Sequence, residues 1–370
     1  MEFTVSRADL VRELNLSQGV VEKKTTIPIL SNVLLEADGD RVHLTATDLE
    51  LGIRCSCPAR VKKSGAGTVP ARRLLDYIRL LPEGDVQVKI QENHWASLVS
   101  GRSRTRIAGM SRESFPELPQ MPALLAEIPI GVLASMISRT IFSISTEESR
   151  FTLNGALLVL RKGGLVMVAT DSHRLAMVES SGEIPGIGTA YRALLPRKAM
   201  QELQKLSSEA APDAIVRFSG DDNHLFFQLG DRMLLSRKLT GNFPDYERVL
   251  PKDHPLSVTL EREELRGAIE RVAQFSDERS RAIRVRVAAN EVKIHSSVSE
   301  TGESEESIPV GYDGPATEIG FNAQYMLDFL RAVSDPQVAF HFKDPHSAGE
   351  LRPAGEKAEN YRYVIMPMRI

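Results

Sequence analysis

Apolar positions recur at a spacing of two in short runs and at spacings of three and four in longer ones, and this pairing of patterns returns three times along the 370 residues. Phe3 and Val5 belong to an extended run that turns into an amphipathic stretch from Arg7 to Leu16. The same join returns where Ile128-Pro129-Ile130 precedes Leu133 to Phe142, and where Leu256 to Leu260 precedes Glu263 to Phe275. A second join of strand to helix falls at Val69-Pro70-Ala71, at Leu195-Pro196-Arg197 and at Gly320-Phe321-Asn322. Six helices are predicted, over 6–18, 70–81, 130–145, 195–209, 260–275 and 321–333.

Between them lie alternating stretches broken by Gly, Asp and Asn, so strand should exceed helix and the class is α+β. The strand pair Ile29 to Glu36 with Val42 to Leu51 matches Phe151 to Leu160 with Leu165 to Val178. Thr47-Asp48 and Thr170-Asp171 fall at equivalent turns, and Gly163-Gly164 is a hairpin candidate. Phe115-Pro116-Glu117-Leu118 and Phe243-Pro244-Asp245-Tyr246 close the first two copies ahead of proline-rich segments. The domains expected are 1–125, 126–253 and 254–370, each a copy of one plan with sheets carrying a helical face. An open array of three leaves two unsatisfied ends, which two chains close head to tail.

Charge changes this picture only locally. Lys plus Arg total 46 against 49 Asp plus Glu, a net charge of −3, which excludes a uniformly basic nucleic-acid binder. Within the six helical stretches the balance reverses, with Arg72, Arg73 and Arg79 in one and Arg197, Lys198 and Lys205 in another, and with Lys23, Lys24 and Arg150 in loops. Solvated helix faces account for such groups equally well on charge alone. Arg102, Arg104 and Arg106 share one face of a strand in the first copy, while Glu303, Glu305 and Glu306 cluster in the third, opposite signs that suit a heterologous contact.

Size supplies a geometric argument. A compact copy has a radius of gyration of about 14 Å, hence a diameter of roughly 35 Å. Three such bodies in a ring leave a hole of only about 5 Å, too narrow for a duplex, whereas six leave one about as wide as a single body. Two chains therefore surround a duplex where one does not.

Candidate chemistry is sparse. Cys55 and Cys57 point to one face of an extended run, ill placed for a disulfide, and a reduced, cytoplasmic protein is expected, with neither a secretion signal nor a membrane span. No phosphate-binding glycine loop occurs, the eight histidines lack metal-ligand spacing, and no metal or cofactor is expected. Asp171-Ser172-His173 sets triad residue types side by side, but adjacent side chains do not converge as a triad does, so backbone capping by Asp171 and Asp48 is the reading and catalysis is not expected. Tyr361 to Ile370 reads as an apolar strand with two methionines, either packed as core or, beside Leu175 and Val249, flooring a groove for a linear peptide. A peptide-binding scaffold without nucleic acid is the competing function.

The repeats, the segment Thr170-Asp171-Ser172-His173-Arg174-Leu175, the segment Asn242 to Tyr246 and the run Tyr363 to Arg369 together resemble the bacterial sliding clamps, the beta subunits of DNA polymerase III. Ile27 to Asn32, Leu153-Asn154-Gly155, Val249 to Lys252 and Ile319 to Asn322 extend the resemblance over the whole chain. It implies three domains of the DNA clamp fold and a head-to-tail homodimer, a six-domain ring with helices lining the hole and sheets outside. Its partners would be double-stranded DNA bound without sequence preference, an ATP-driven clamp loader, and DNA polymerase III alpha subunit with other polymerases and repair proteins. The place would be the cytoplasm, at the nucleoid. A peptide groove is implied at Leu153, Thr170, Ser172, His173, Arg174 and Leu175, at Pro244, Arg248 and Val249, at Asn322 and Tyr325, and at Val364, Met366, Pro367, Met368 and Arg369. DNA-facing residues would be Lys24, Arg72, Arg73, Arg150, Arg197 and Lys198. The dimer seam would use Ile107, Gln274 and Phe275, with Arg104 and Glu303 as charge partners. Ser172 stands where such clamps commonly have glycine, and Ile370 where leucine is frequent.

Overall fold

The computed structural model describes residues 1–21, 26–185, 187–298, 302–355 and 360–369. Six α-helices are observed among them: α1 (Arg7–Gln18), α2 (Ala71–Leu80), α3 (Ile130–Thr140), α4 (Arg197–Ser208), α5 (Arg262–Val272) and α6 (Ala323–Ala332). Strand exceeds helix, so the class is α+β as the alternation predicts. Helices α3 and α5 stop short of their predicted ends because the last turn tightens to 3-10 geometry, at Ile141–Ser143 and Ala273–Phe275.

Chain packing gathers into two compact units, Met1–Ala134 with Lys198–Lys238, and Ser135–Arg197 with Leu239–Ile370. Each takes one outer repeat and half of the middle one, because the sheets run on from repeat to repeat.

In the first unit a twelve-stranded antiparallel sheet joins the two halves where Leu51–Lys63 pairs with Arg232–Arg237, in the register Ile53 to Leu234. Phe3, Leu35, Val42 and Val88 from this sheet meet Leu10 and Leu14 of α1 and Leu74 and Ile78 of α2. Cys55 and Cys57 lie wholly inside that core and are unbridged, and burial pushes the Cys57 thiol up to about 12. Glu13, also buried, receives two hydrogen bonds from Arg232, at 2.8 and 3.0 Å, which keep its charge paired.

The second unit holds an eight-stranded and a four-stranded antiparallel sheet. The hairpin between Gly155–Arg161 and Gly164–Thr170 turns through Lys162 and Gly163, since Arg161 already pairs with Gly164. This shifts the predicted Gly163-Gly164 turn by one residue. Gly164 has φ +142, and a Cβ there would lie 2.0 Å from the Ser180 carbonyl oxygen, so the glycine serves the strand that follows. Asn360–Ile365 lies inside the eight-stranded sheet, between Arg174–Ser181 and Gly349–Ala354. Its Tyr361 and Tyr363 are fully buried, and the Tyr363 ring stacks on Phe329 of α6 at 5.3 Å.

Candidate functional site

The site is built on one turn. Thr170 Oγ1 donates to the Arg174 carbonyl at 2.7 Å and accepts from the Ser172 amide at 3.1 Å. Asp171 Oδ1 accepts from the His173 and Arg174 amides, both at 3.0 Å. These four bonds hold Ser172 in left-handed backbone, at φ +77. Asp171 is thus a backbone-capping residue, as its sequence context predicts.

Arg174 carries the turn into the protein. Its Nε donates to Asp171 Oδ2 at 3.0 Å, Nη1 to Asp328 Oδ2 at 2.6 Å and Nη2 to the Phe142 carbonyl at 2.5 Å, while the guanidinium lies 4.2 Å from the Tyr325 ring centre. Burial opposes its charge, but Tyr363, Asp328 and Asp171 outweigh burial and raise its pKa. Arg174 is therefore a fixed wall with few donors left over.

The floor comes from the strand Asn360–Ile365, where Val364 pairs with Leu175 on one side and Glu350 on the other. Glu350 is fully buried and takes hydrogen bonds from both Arg352 and Arg362. Burial alone would raise its pKa; the two arginines reverse that and lower it. Beyond the strand, the Met366 amide donates to the His173 carbonyl at 2.9 Å and leaves the Met366 side chain 38% exposed.

A pocket of about 200 Å³ opens between these parts. Thr170, Ser172 and Arg174 form its polar rim, and Leu175, Val249, Val364 and Met366 its apolar floor, with Pro244 beside them. Tyr246 completes the wall; sequence reasoning missed it, although it ends the Asn242 to Tyr246 segment that carries part of the family resemblance. The remaining expected groove residues do not line this pocket. Leu153 is buried in a 3-10 turn, and Asn322 caps α6 by accepting from the Gln324 and Tyr325 amides. Tyr325 lies against Arg174, whereas His173 and Arg248 are exposed, Arg248 being paired with Asp245 at 2.8 Å. Pro367, Met368 and Arg369 line a separate recess of about 420 Å³ with Arg284, Glu318 and His346, because the Met368 amide is pinned to the Gly320 carbonyl at 2.8 Å.

The expected cationic residues divide sharply. Arg72 and Arg73 are exposed on α2, in an open recess with Tyr77, Arg79 and Leu80. Arg197 is half-buried at the start of α4. Lys198 is ion-paired with Asp48 and donates to the Val20 carbonyl. Arg150 is tied to the 170–174 turn: Nη1 donates to Ser172 Oγ at 2.9 Å and to the Asp171 carbonyl at 3.2 Å, while Nε meets Glu147 at 2.8 Å. Lys24 lies outside the described residues.

At the expected seam, Arg104 is exposed on the edge strand Ser103–Ala108 and Glu303 on the edge strand Gly302–Pro309. Ile107 alternates inward and joins the core, 4% exposed. Phe275 is 36% exposed, and exposed Gln274 bonds back to the Glu270 carbonyl. Glu306 pairs with Arg271 and Glu305 with Lys293, which leaves Glu303, among the described residues, the open charge of the three. Among the described residues there is no His, Cys, Asp and Glu cluster fit for a metal ion, and no helix long and apolar enough to cross a membrane.

Comparison with known proteins covers the chain in three parts. The models of the N-terminal, central and C-terminal domains of the DNA polymerase III beta subunit match residues 1–119, 127–245 and 247–369. A protein of Pseudomonas putida named beta sliding clamp is 37% identical over 376 residues, covering all of both chains. A beta sliding clamp of Chlamydia muridarum is 33% identical over 372 residues, covering all of this chain and 99% of that one. The crystal structure of the DNA polymerase III subunit beta from Pseudomonas aeruginosa superposes with a TM-score of 0.94 at 36% identity, again over the full length of both.

Proposed function

Because the chain belongs to the DNA polymerase III beta subunit family, the beta sliding clamps, we propose that two copies close head to tail into a six-domain ring around duplex DNA and act there as a movable tether. As a sliding clamp it is a processivity factor with no catalytic activity of its own. The domains of this ring would be 1–125, 126–253 and 254–370.

The observation that carries the reading is a pair of sheet edges that have no outer strand among the described residues. Ser103–Ala108 ends the twelve-stranded sheet and displays Arg104; Gly302–Pro309 ends the four-stranded sheet and displays Glu303. Edge strands invite pairing with another chain, and opposite charges on edges from different repeats favour contact between unlike ends, which closes a ring and avoids like-to-like stacking. Arg72, Arg73 and Arg197, on helices, would face the phosphates inside the ring. Attraction there is independent of sequence and weakens with salt, which lets the ring slide. The sheets would form the outside. The pocket at Ser172, Val364 and Met366 would take the apolar side chain of a linear motif from DNA polymerase III alpha subunit, other polymerases, repair proteins or the loader, one at a time. The work is done in the cytoplasm, at the nucleoid.

Light scattering tests the ring. A dimer of twice 40.9 kDa is expected over a wide dilution range. Arg104→Glu should shift it toward monomer, and Arg104→Glu combined with Glu303→Arg should bring the dimer back. Monomer at every concentration, or no rescue by the double exchange, would refute the head-to-tail seam.

A further inference from the structure

Most polar groups around the pocket are already committed. The Thr170 hydroxyl donates within its own turn, and the three guanidinium nitrogens of Arg174 go to Asp171, Asp328 and the Phe142 carbonyl. Two donors remain at the turn, on Ser172 and on Arg150, which is bonded to it. Ser172 Oγ accepts from Arg150, so its own hydroxyl hydrogen is free to turn outward. Arg150 uses Nε for Glu147 and Nη1 for Ser172 and Asp171, and among the described residues its fork keeps Nη2 for another acceptor. The Ser172 backbone, fixed at φ +77 by the bonds of its turn, holds this pair at the rim. The carboxylates of Glu147, Asp171 and Asp328 nearby balance the guanidinium charges of Arg150 and Arg174, so the rim offers directed N–H and O–H groups without a strong positive field.

We propose that Ser172 and Arg150 together are a specificity-determining element of the pocket. They select linear peptides whose apolar anchor is flanked by a side chain with a neutral hydrogen-bond acceptor, such as an amide oxygen. The inference rests on the pocket being a peptide site. Arg150 acts at the rim as a donor, and Ser172 both donates and positions Arg150. In a chain with glycine at position 172, the guanidinium loses that anchor and the rim one donor.

The test is a double-mutant cycle on the full-length protein, read by fluorescence anisotropy with two labelled hexapeptides. Both carry a leucine anchor, flanked on each side by asparagine in one and by alanine in the other. The wild type should bind the asparagine peptide roughly tenfold more tightly, the worth of one hydrogen bond to a charged donor. In Ser172→Gly and in Arg150→Gln this preference should fall below about twofold, read as the ratio of the two peptides' affinities within each variant. Equal binding of both peptides by the wild type, or a preference that survives both substitutions, would overturn this inference alone. Failure of the wild type to bind either peptide would overturn the peptide-site reading and this inference with it.

Discussion

The turns at 47–51 and 170–174 are the same object in two settings. In each, the threonine hydroxyl bonds the carbonyl four residues on and the amide two residues on, and the aspartate caps the two amides that follow its neighbour. In each the third residue is left-handed, Leu49 at φ +78 and Ser172 at φ +77. The fifth residue separates them. Leu51 is buried and apolar, whereas Arg174 sends a guanidinium to Asp328, Phe142 and Tyr325. The second oxygen of Asp48 takes Lys198; that of Asp171 takes Arg174. A shared backbone device therefore becomes a rigid corner in one repeat and the rim of a pocket in the other. The side chains at its third and fifth positions make the difference.

Removing the fifth residue should part the two turns most. Arg174→Ala leaves Asp328 and Asp171 without their shared cation in a largely buried place, a loss of about 3–5 kcal/mol in denaturant unfolding, with peptide binding abolished. Leu51→Ala should cost about 2–5 kcal/mol through lost packing and leave peptide binding intact. Equal loss of peptide binding in the two variants would erase the distinction.

Acid should act on the pocket floor next. The folded-state pKa of Glu350 lies below the ordinary glutamate value of 4.5, so its contribution to stability is present in full above that value and disappears as pH falls through the lowered folded pKa. Unfolding midpoints measured from pH 6 down to pH 3 should fall, and Glu350→Gln should flatten the decline. An unchanged slope in Glu350→Gln would remove Glu350 from the account of acid sensitivity.

The caps come third. Asp48→Ala and Asp171→Ala each uncap two backbone amides and should cost about 1–3 kcal/mol, Asp171→Ala the more because it also frees Arg174. Smallest is the left-handed residue. Leu49→Gly relieves about 1–2 kcal/mol of backbone strain and gives back about 0.5–1 kcal/mol in chain entropy, a net gain of about 0.5–1 kcal/mol. Ser172→Gly gains the same but loses the Arg150 bond, worth about 1 kcal/mol, and should be near neutral. Melting temperatures of the two glycine variants decide this; equal stabilisation would mean that the Arg150 bond contributes nothing.

Local features were legible in the sequence because they depend on local chemistry. Apolar spacing located all six helices, the repeated Thr-Asp pairs marked both turns, and the apolar run from Tyr361 announced a buried strand. Long-range geometry was less legible. Lys198 and Asp48 are 150 residues apart, and no spacing rule pairs them. Ile107 has the inward parity of its strand, but its place in the core depends on α1 and α2 covering that face. Pro367 to Arg369 follow the pocket floor in sequence yet line another recess, because one hydrogen bond to Gly320 fixes where the backbone goes. Pairing of the strand Leu51–Lys63 with Arg232–Arg237 joins one repeat to the next in a register that alternation alone does not specify.

Topological capture of DNA is best tested by cutting the track. Labelled protein is loaded onto nicked circular plasmid by a clamp loader with ATP, and its retention is followed through gel filtration before and after a single restriction cut. Stable retention on the circle at moderate salt and rapid loss after the cut is the expected result, with Arg72→Glu and Arg73→Glu altering loading far more than retention. Release from the intact circle at the rate seen on the cut plasmid would contradict an encircling clamp.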